Sequence, residues 1–223
     1  MDKDNVNAEK EVLLDLNRRN RTGLSEAVFC EGKSLAQLSE ICTTIQEKNL
    51  SMLFTRLSKT QFSHIDSLYP NLVTYDEVSR MGLCRPPSLT NNIQVAIVGG
   101  GSSDASVMKE AKLTLRYYGI NCLEIHDVGV AGLWRLTERL KEIGGMKIVI
   151  CIAGMDAALP TVLAGLIPSI IIAVPTSVGY GVTRNGETAL AALLVSCASG
   201  MTVVNIDNGY GAACAAIRTL NQL

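Results

Sequence analysis

Five short apolar runs, rich in Val and Ile, recur between residues 94 and 206, and a segment with helical character follows each one. Apolar and polar residues do not alternate within these runs, which indicates strands buried on both faces. Regular strand–helix alternation predicts right-handed crossovers, and hence a parallel sheet with helices on both sides. We therefore predict an α/β fold, a three-layer flavodoxin-like domain. Its predicted strands are Gln94–Val98, Cys122–His126, Lys147–Ile152, Ser169–Val174 and Met201–Ile206, and its predicted helices are Asp104–Tyr118, Leu133–Ile143, Ala157–Leu166, Glu187–Cys197 and Gly211–Leu220.

The earlier part of the chain predicts a smaller α/β unit. Val12, Leu13 and Leu16 stand at helical spacing and predict an amphipathic helix over residues 9–20. Ser34 is a candidate N-cap for a second helix that runs to Lys48. The buried face of that second helix is predicted to comprise Leu35, Leu38, Ile41, Cys42 and Ile45. The other predicted elements are strands at Ala27–Phe29, Leu50–Leu57 and Leu72–Tyr75 and a helix at Ser58–Leu68.

A boundary between the two parts is predicted near residue 88. Residues 81–88 indicate a linker, because a turn signal and two prolines follow one another there. We therefore predict a small α/β N-terminal domain with its linker over residues 1–88, and the parallel-sheet domain over residues 89–223.

Composition and charge exclude several classes of function. Hydrophobic residues make up 48% of the chain and the formal net charge is −1, which argues against disorder and against electrostatic binding of nucleic acid. The most apolar region, Ile148–Val174, is interrupted by Asp156 and prolines, so buried strands around a helix explain it better than a membrane span. The first residues are polar and lack an apolar h-region, so no secretory signal is expected.

The seven cysteines show no C-x-x-C spacing, and the chain has two histidines. This pattern argues against both a disulfide framework and a zinc site. We therefore expect a cytoplasmic protein with reduced thiols.

Ligands bind at the carboxyl ends of the strands in a sheet of this kind. The first loop there, Gly99–Asp104, has three glycines that let a ligand approach the backbone and two serines at a helix start. It matches neither the G-x-G-x-x-G dinucleotide pattern nor the P-loop, which carries a lysine. Ser102, Ser103 and Asp104 are candidates for substrate binding, with capping of the next helix as the alternative.

Three further loops carry single acidic residues. Asp127 and Gly129, after the second strand, are candidates for substrate binding, although Asp127 is equally typical of a turn. Asp156 stands among apolar residues after the third strand, either as a helix N-cap or as a partly desolvated general base with a raised pKa. Asp207 and Asn208, after the last strand, are as typical of a turn as of ligand contact.

The loop after the fourth strand, from Pro175 to Gly181, is rich in glycine and hydroxyl groups. Strand, glycine loop and helix in this order are typical of an anion cradle, because backbone N–H groups and the helix dipole favour negative charge there. Cys197 is predicted near the far end of the helix that follows. On its own such a cysteine is typical of packing, and the dipole there opposes thiolate formation. The candidate substrate-binding residues of this loop are Thr176, Ser177, Gly179, Tyr180 and Gly181.

These loops resemble the LarB family, whose second domain resembles PurE, the aminoimidazole ribonucleotide carboxylase. The resemblance covers both predicted domains. The motifs that carry it are Arg21-Thr22-Gly23, Glu31-Gly32-Lys33, Gly101-Ser102-Ser103-Asp104, Asp127-Val128-Gly129-Val130-Ala131-Gly132, Ala153-Gly154-Met155-Asp156, Pro175-Thr176-Ser177-Val178-Gly179-Tyr180-Gly181, Ser196-Cys197-Ala198 and Val204-Asn205-Ile206-Asp207-Asn208-Gly209.

The resemblance implies a PurE-like catalytic domain and the first step in making the nickel-pincer nucleotide cofactor. The implied enzyme is a carboxylase and hydrolase of nicotinic acid adenine dinucleotide. It carboxylates the pyridinium ring with CO2 and hydrolyses the phosphoanhydride, giving pyridinium-3,5-biscarboxylic acid mononucleotide and AMP. Cys197 is implied as the nucleophile and Asp156 as the acidic residue beside the pyridine ring. Magnesium dependence and a homo-octamer are also implied.

The chain departs from the family pattern at several positions. Asp156 stands where the family usually has Glu. Val195 replaces a common Asn, and Ser199 a common Pro. Arg184 and Asn185 occupy a loop that the family makes mostly of glycine.

Two other functions stay open. The PurE pattern expects Ser-Ala-His-Arg after the second strand, where this chain reads Asp127-Val128-Gly129-Val130. The missing histidine disfavours an aminoimidazole ribonucleotide carboxylase or mutase. The other alternative is a nucleotide-binding module without catalysis, and the retained thiol argues against it.

Overall fold

The computed structural model describes residues 11–223. These residues divide into two compact units. One unit runs up to Tyr75 and also includes Gly82–Arg85, and the other comprises Asp76–Met81 and Pro86–Leu223. In the described part of the chain, no helix has both the length and the apolar character needed to cross a bilayer.

The first unit is a small α/β fold with a mixed four-stranded sheet. Its strands lie in the order β1-β2-β4-β3, with β1 parallel and β4 antiparallel to β2. The strands are β1 Ala27–Phe29, β2 Met52–Thr55, β3 Thr74–Asp76 and β4 Met81–Cys84, and the helices are α1 Arg18–Thr22, α2 Leu35–Glu47 and α3 Lys59–Leu68.

Both longer helices of this unit begin as the sequence predicts. Ser34 and Ser58 are the N-caps of α2 and α3, and each forms a reciprocal capping box with the glutamine three residues later. The buried face of α2 comprises Leu38, Ile41, Cys42 and Ile45. Leu35 is predicted on that face as well, but the structure leaves it 40% exposed.

The helix predicted over residues 9–20 is wrong over residues 11–17 and is confirmed only at residues 18–20. Helix α1 begins at Arg18, and the first residues of the prediction lie outside the described range. Val12 and Leu14 pack against the core of the first unit, whereas Leu13 between them is 86% exposed. Burial therefore alternates with the period of an extended chain rather than with that of a helix.

The linker predicted from Met81 is also partly wrong, because Met81–Cys84 forms strand β4. Met52 pairs with Cys84, and Phe54 with Gly82, which places β4 inside the sheet. A Cβ on Gly82 would come within 2.7 Å of the Val73 side chain, so glycine allows this close packing. All four residues of the strand are buried.

The second unit has the predicted three-layer α/β fold. Its five strands are all parallel and lie in the order β6-β5-β7-β8-β9, the flavodoxin-like arrangement in which the first strand lies between the second and the third. The strands are β5 Val95–Gly99, β6 Cys122–Ile125, β7 Ile148–Ala153, β8 Ile170–Pro175 and β9 Thr202–Val203, and the helices are α4 Ala105–Tyr117, α5 Leu133–Thr137, α6 Leu140–Ile143, α7 Ala158–Ala164, α8 Glu187–Leu194 and α9 Gly209–Leu220.

The strand register brings the candidate loops to one edge of the sheet. Gly99 at the end of β5 is opposite Ile152 of β7, and Ala153 is opposite Pro175 of β8. The loops that leave these strands therefore start side by side. On one face of the sheet α4 packs against α9, whereas buried residues of α5, α6, α7 and α8 share a core cluster with the strands.

Three elements of this unit differ from the prediction. The predicted helix 133–143 is divided into α5 and α6, and β9 is limited to Thr202–Val203. Beyond β9, the Asn205 side chain accepts a 2.9 Å hydrogen bond from the N–H of Ile206. Helix α8 ends at Leu194, with Val195 as its C-cap, so Cys197 lies beyond the helix and not in its last turn.

Candidate active site

A cleft of about 450 Å³ opens at the carboxyl edge of the parallel sheet. Four loops contribute to it, those that follow β5, β6, β7 and β8. Four of the predicted site residues line it: Ser103, Asp104, Gly129 and Asp156. The other residues of its wall are Gly100, Gly101, Val130, Ala131, Ala153, Gly154, Met155, Ala158, Leu159 and Val178.

Asp104 is a buried carboxylate with both oxygens engaged. Its Oδ2 accepts a 2.9 Å hydrogen bond from the N–H of Gly101, and its Oδ1 accepts a 2.8 Å bond from the hydroxyl of Thr176. The residue is 3% exposed, and burial raises the pKa of its carboxyl group. Its bond from Gly101 caps the 3₁₀ turn Ser102–Asp104 that leads into α4, as the capping alternative predicts, whereas its bond from Thr176 lies outside that turn. Ser103 lines the cleft, whereas Ser102 is exposed outside it.

The loop after β6 packs closely on the first glycine loop. Val128 donates a 3.1 Å hydrogen bond to the carbonyl of Gly99, and a Cβ on Gly129 would come within 2.7 Å of the carbonyl oxygen of Gly100. Only glycine fits there. Asp127 lies outside the cleft, where its Oδ2 accepts a 2.7 Å bond from Nη1 of Arg135.

Asp156 is the exposed carboxylate of the cleft. Its shortest hydrogen bond among the described residues is a long one, 3.4 Å from the N–H of Ala158. Met155 before it and Ala157 after it both have left-handed backbone, with φ of 54° and 49°. Because Asp156 has no strong partner, its oxygens stay available to a ligand in the cleft.

The glycine loop after β8 contributes a different set of residues from the predicted one. Val178 lines the cleft, whereas Thr176 is fully buried under Asp104. The N–H of Ser177 donates a 2.8 Å hydrogen bond to Oδ1 of Asp207. Outside the cleft wall lie Gly179, Tyr180 and Gly181, and Tyr180 is 79% exposed.

Cys197 is an exposed thiol that does not line the cleft. The residue before it is anchored, because the hydroxyls of Ser196 and Thr161 form a 2.7 Å hydrogen bond that joins this segment to α7. Within one copy of the chain, Asp156 therefore lines the cleft and Cys197 does not.

Two family models match the chain. Residues 8–86 match the LarB/PurE-like N-terminal domain, and residues 94–222 match AIR carboxylase. The chain belongs to the LarB family.

Relatives of this LarB-family chain differ in how much they share with it. An uncharacterized protein of Methanocaldococcus jannaschii is 34% identical over 92% of this chain and 82% of its own length. The N5-carboxyaminoimidazole ribonucleotide mutase of Pyrococcus horikoshii is 33% identical over 56% of this chain and 71% of its own length. A crystal structure of Treponema denticola PurE has a TM-score of 0.45 and 19% identity, and covers 59% of this chain and 90% of that chain.

Non-glycine residues with left-handed backbone occur earlier in the chain and also in the loops at the carboxyl edge of the LarB-family parallel sheet. Such residues follow β6, β7, β8 and β9, and local sequence reasoning did not identify them. Non-glycine left-handed residues cost free energy and are typical of functional sites. Those in the loops after the parallel strands are Asp127, Met155, Ala157, Arg184, Asn185 and Asp207.

The described residues do not form a magnesium cage of their own. Between residues 11 and 223 no group of three or more His, Cys, Asp or Glu side chains could hold a metal ion. Magnesium usually takes one or two protein carboxylates and completes its shell with water and substrate phosphate. The donor set here does not fit a protein-built site, so no step proposed below depends on the metal. Magnesium dependence stays a prediction.

Proposed function

We propose that this LarB-family chain carboxylates the pyridinium ring of nicotinic acid adenine dinucleotide and hydrolyses its phosphoanhydride. The products are pyridinium-3,5-biscarboxylic acid mononucleotide and AMP. Membership of the family, with its N-terminal domain and its AIR carboxylase domain, supports an enzyme that acts on a nucleotide with CO2.

The observation that carries the proposal is the composition of the cleft wall. Asp156 supplies an exposed carboxylate, and no histidine is among the described residues that line the cleft. His126 lies instead on the exposed side of the strand end, 3.7 Å from Oε2 of Glu124. A reaction that relies on a carboxylate base and a separate thiol fits this wall better than one that relies on a histidine proton carrier.

The proposed carboxylation passes through a covalent adduct between Cys197 and the pyridinium ring. The thiolate of Cys197 adds to carbon 4 of the pyridinium ring, which neutralises the ring and makes carbon 5 nucleophilic. Carbon 5 then attacks CO2 and forms the new carbon–carbon bond. Asp156 removes the proton from carbon 5, and the ring regains its aromaticity as the thiolate leaves. In the separate hydrolysis, water cleaves the phosphoanhydride and releases AMP.

A homo-oligomer is part of this proposal, and we propose an octamer. Cys197 lies outside the cleft of its own chain, so the reaction needs the thiol of a neighbouring copy or a movement of this segment. Large apolar side chains around the segment are exposed, which supports contact between copies. They are Tyr180, Val182, Leu194 and Val195. Light scattering of the purified chain tests this, and a monomer at assay concentration would contradict it.

One incubation separates the proposed function from its rival. The chain is mixed with bicarbonate, magnesium and either nicotinic acid adenine dinucleotide or an aminoimidazole ribonucleotide, and the products are identified by mass spectrometry. We expect a carboxylated mononucleotide and AMP from the first substrate. Turnover of the aminoimidazole ribonucleotide alone would instead support AIR carboxylase activity, which the family match of residues 94–222 favours as the second candidate. Binding of the dinucleotide without turnover would indicate a nucleotide-binding module.

A further inference from the structure

Three consecutive residues at the start of the glycine loop are bonded to two acids from other loops. The hydroxyl of Thr176 donates to Asp104, and the N–H of Ser177 donates to Asp207, each at 2.8 Å. The N–H of Asp207 in turn donates a 2.9 Å hydrogen bond to the carbonyl of Pro175. We infer that Asp104 and Asp207 form a pair of positioning residues, which fix residues 175–177 and thereby set where the glycine loop meets the cleft.

The usual structural explanation for an acid at a strand end accounts for only part of this pair's hydrogen bonds. An aspartate there typically caps the next helix. Asp104 caps the 3₁₀ turn before α4 through Oδ2 alone, and α9 is capped by Asn208, whose Oδ1 accepts a 2.7 Å bond from Gly211. The other oxygen of Asp104, Oδ1, and Oδ1 of Asp207 each accept a hydrogen bond from the glycine loop.

The loop needs external anchors because of its own composition. Gly179 and Gly181 have φ of 147° and 60°, and glycine restricts the backbone least. Val178, which lies directly after the anchored residues, is the part of the loop that lines the cleft. A shift of residues 175–177 would therefore move the cleft wall.

The surroundings of Asp104 support the same role. A buried carboxylate is stable only with hydrogen-bond donors, and Gly101 and Thr176 supply one to each oxygen. Burial, with a smaller contribution from the charge of Asp207, raises the pKa of Asp104 above its ordinary value. The buried thiol of Cys151 also interacts electrostatically with Asp104. Residues 99–101 and 175–177 are thus joined through a single side chain.

Hydrogen exchange of the ligand-free full chain tests the Asp207 half of the pair. Asp207 has a φ of 54°, so Asp207→Gly removes the carboxylate without straining the backbone, and Asp207→Asn keeps an acceptor oxygen. We expect exchange in residues 175–181 to become about five- to tenfold faster in Asp207→Gly, as for the loss of one hydrogen bond. Asp207→Asn should leave it unchanged. Asp127→Gly, the same change at another left-handed aspartate, is the matched control and should not alter exchange in this loop.

Thr176 tests the Asp104 half without altering either acid. Thr176→Ser keeps the hydroxyl that donates to Asp104, whereas Thr176→Val keeps the shape and removes it. Faster exchange in residues 175–181 is expected in Thr176→Val only. Equal exchange in the two members of each pair, Asp207→Gly with Asp207→Asn and Thr176→Val with Thr176→Ser, would overturn the inference.

An activity measurement extends the test, and this part rests on the proposed function. We expect kcat/KM for nicotinic acid adenine dinucleotide to fall roughly 10- to 100-fold in Asp207→Gly, mainly through KM, because a small displacement of a binding wall is costly. Asp207→Asn should restore it. If the unmodified chain does not turn over this substrate, the proposed function fails, while the exchange data still decide on the positioning pair.

Discussion

The N–H of Met155 donates a 2.8 Å hydrogen bond to the carbonyl oxygen of Val178. This bond joins the loop after β7 to the glycine loop after β8, directly before Asp156. Gly154 makes the contact possible, because a Cβ there would come within 2.4 Å of the same carbonyl oxygen. The carboxylate proposed as the base and the glycine loop are therefore held as one unit.

The close contact at Gly154 leads to a prediction about stability. Gly154→Ala would place a methyl group against the backbone of Val178 and the hydroxyl oxygen of Thr176, so the two loops must separate. We expect a loss of about 1–3 kcal/mol in the free energy of unfolding, measured by urea denaturation. Gly100→Ala is the matched control, since its new Cβ would meet neighbours at 3.5 Å or more. Equal stability of the two variants would contradict the tight packing described here.

We expect the carboxylate of Asp156 to be required for proton removal. A side chain one methylene longer should still support the reaction. Asp156→Asn removes the base but keeps the size of the side chain, and we expect kcat for carboxylation to fall about 10²- to 10⁴-fold. Asp156→Glu installs the residue that is usual in the family and should keep most of the activity. Steady-state kinetics with both variants decide the point. An active Asp156→Asn enzyme would remove Asp156 from the proposed mechanism.

The buried carboxyl group of Asp104 should make stability depend on pH. Burial raises its folded-state pKa above the ordinary 3.8, so folding favours the protonated form. The stability associated with that form is complete below pH 3.8 and is lost as pH rises through the raised pKa. Asp104→Asn stays neutral throughout.

We therefore expect the free energy of unfolding of Asp104→Asn, relative to the unmodified chain, to increase as pH rises above that ordinary value and then to level off. Chemical denaturation of both proteins over this pH range measures it. A difference that does not change with pH would contradict a raised pKa.

Much of the fold follows from the sequence because local signals and tertiary packing agree. The Val- and Ile-rich runs form β5 to β8, and α2 begins after its predicted cap, Ser34. The predictions are wrong where local signals and tertiary packing disagree. Val12 and Leu13 fit a helical spacing, but contact with the first core favours an extended chain. Strand β4 was overlooked because the prolines after Cys84 suggested a linker throughout.

The location of the candidate site could be predicted from the sequence better than the roles of its individual residues. Because ligands bind at the carboxyl ends of parallel strands, the loops with Gly129 and Asp156 were identified, and the structure places both residues in the cleft. The partner of Asp104 was not predictable, since Thr176 is 72 residues away in the chain. Cys197 was assigned to a helix that ends before it, and no local pattern placed it relative to the cleft.

The most direct test of the central proposal is the incorporation of isotopically labelled bicarbonate. The unmodified chain and Cys197→Ser are incubated with nicotinic acid adenine dinucleotide and ¹³C-bicarbonate, and the masses of the nucleotide products are measured by mass spectrometry. Cys197 is exposed, so its replacement should not disturb folding. We predict a pyridinium mononucleotide that carries one labelled carboxyl group, formed by the unmodified chain and not by Cys197→Ser. No label in any pyridine product of the unmodified chain, or equal labelling with both proteins, would contradict the account.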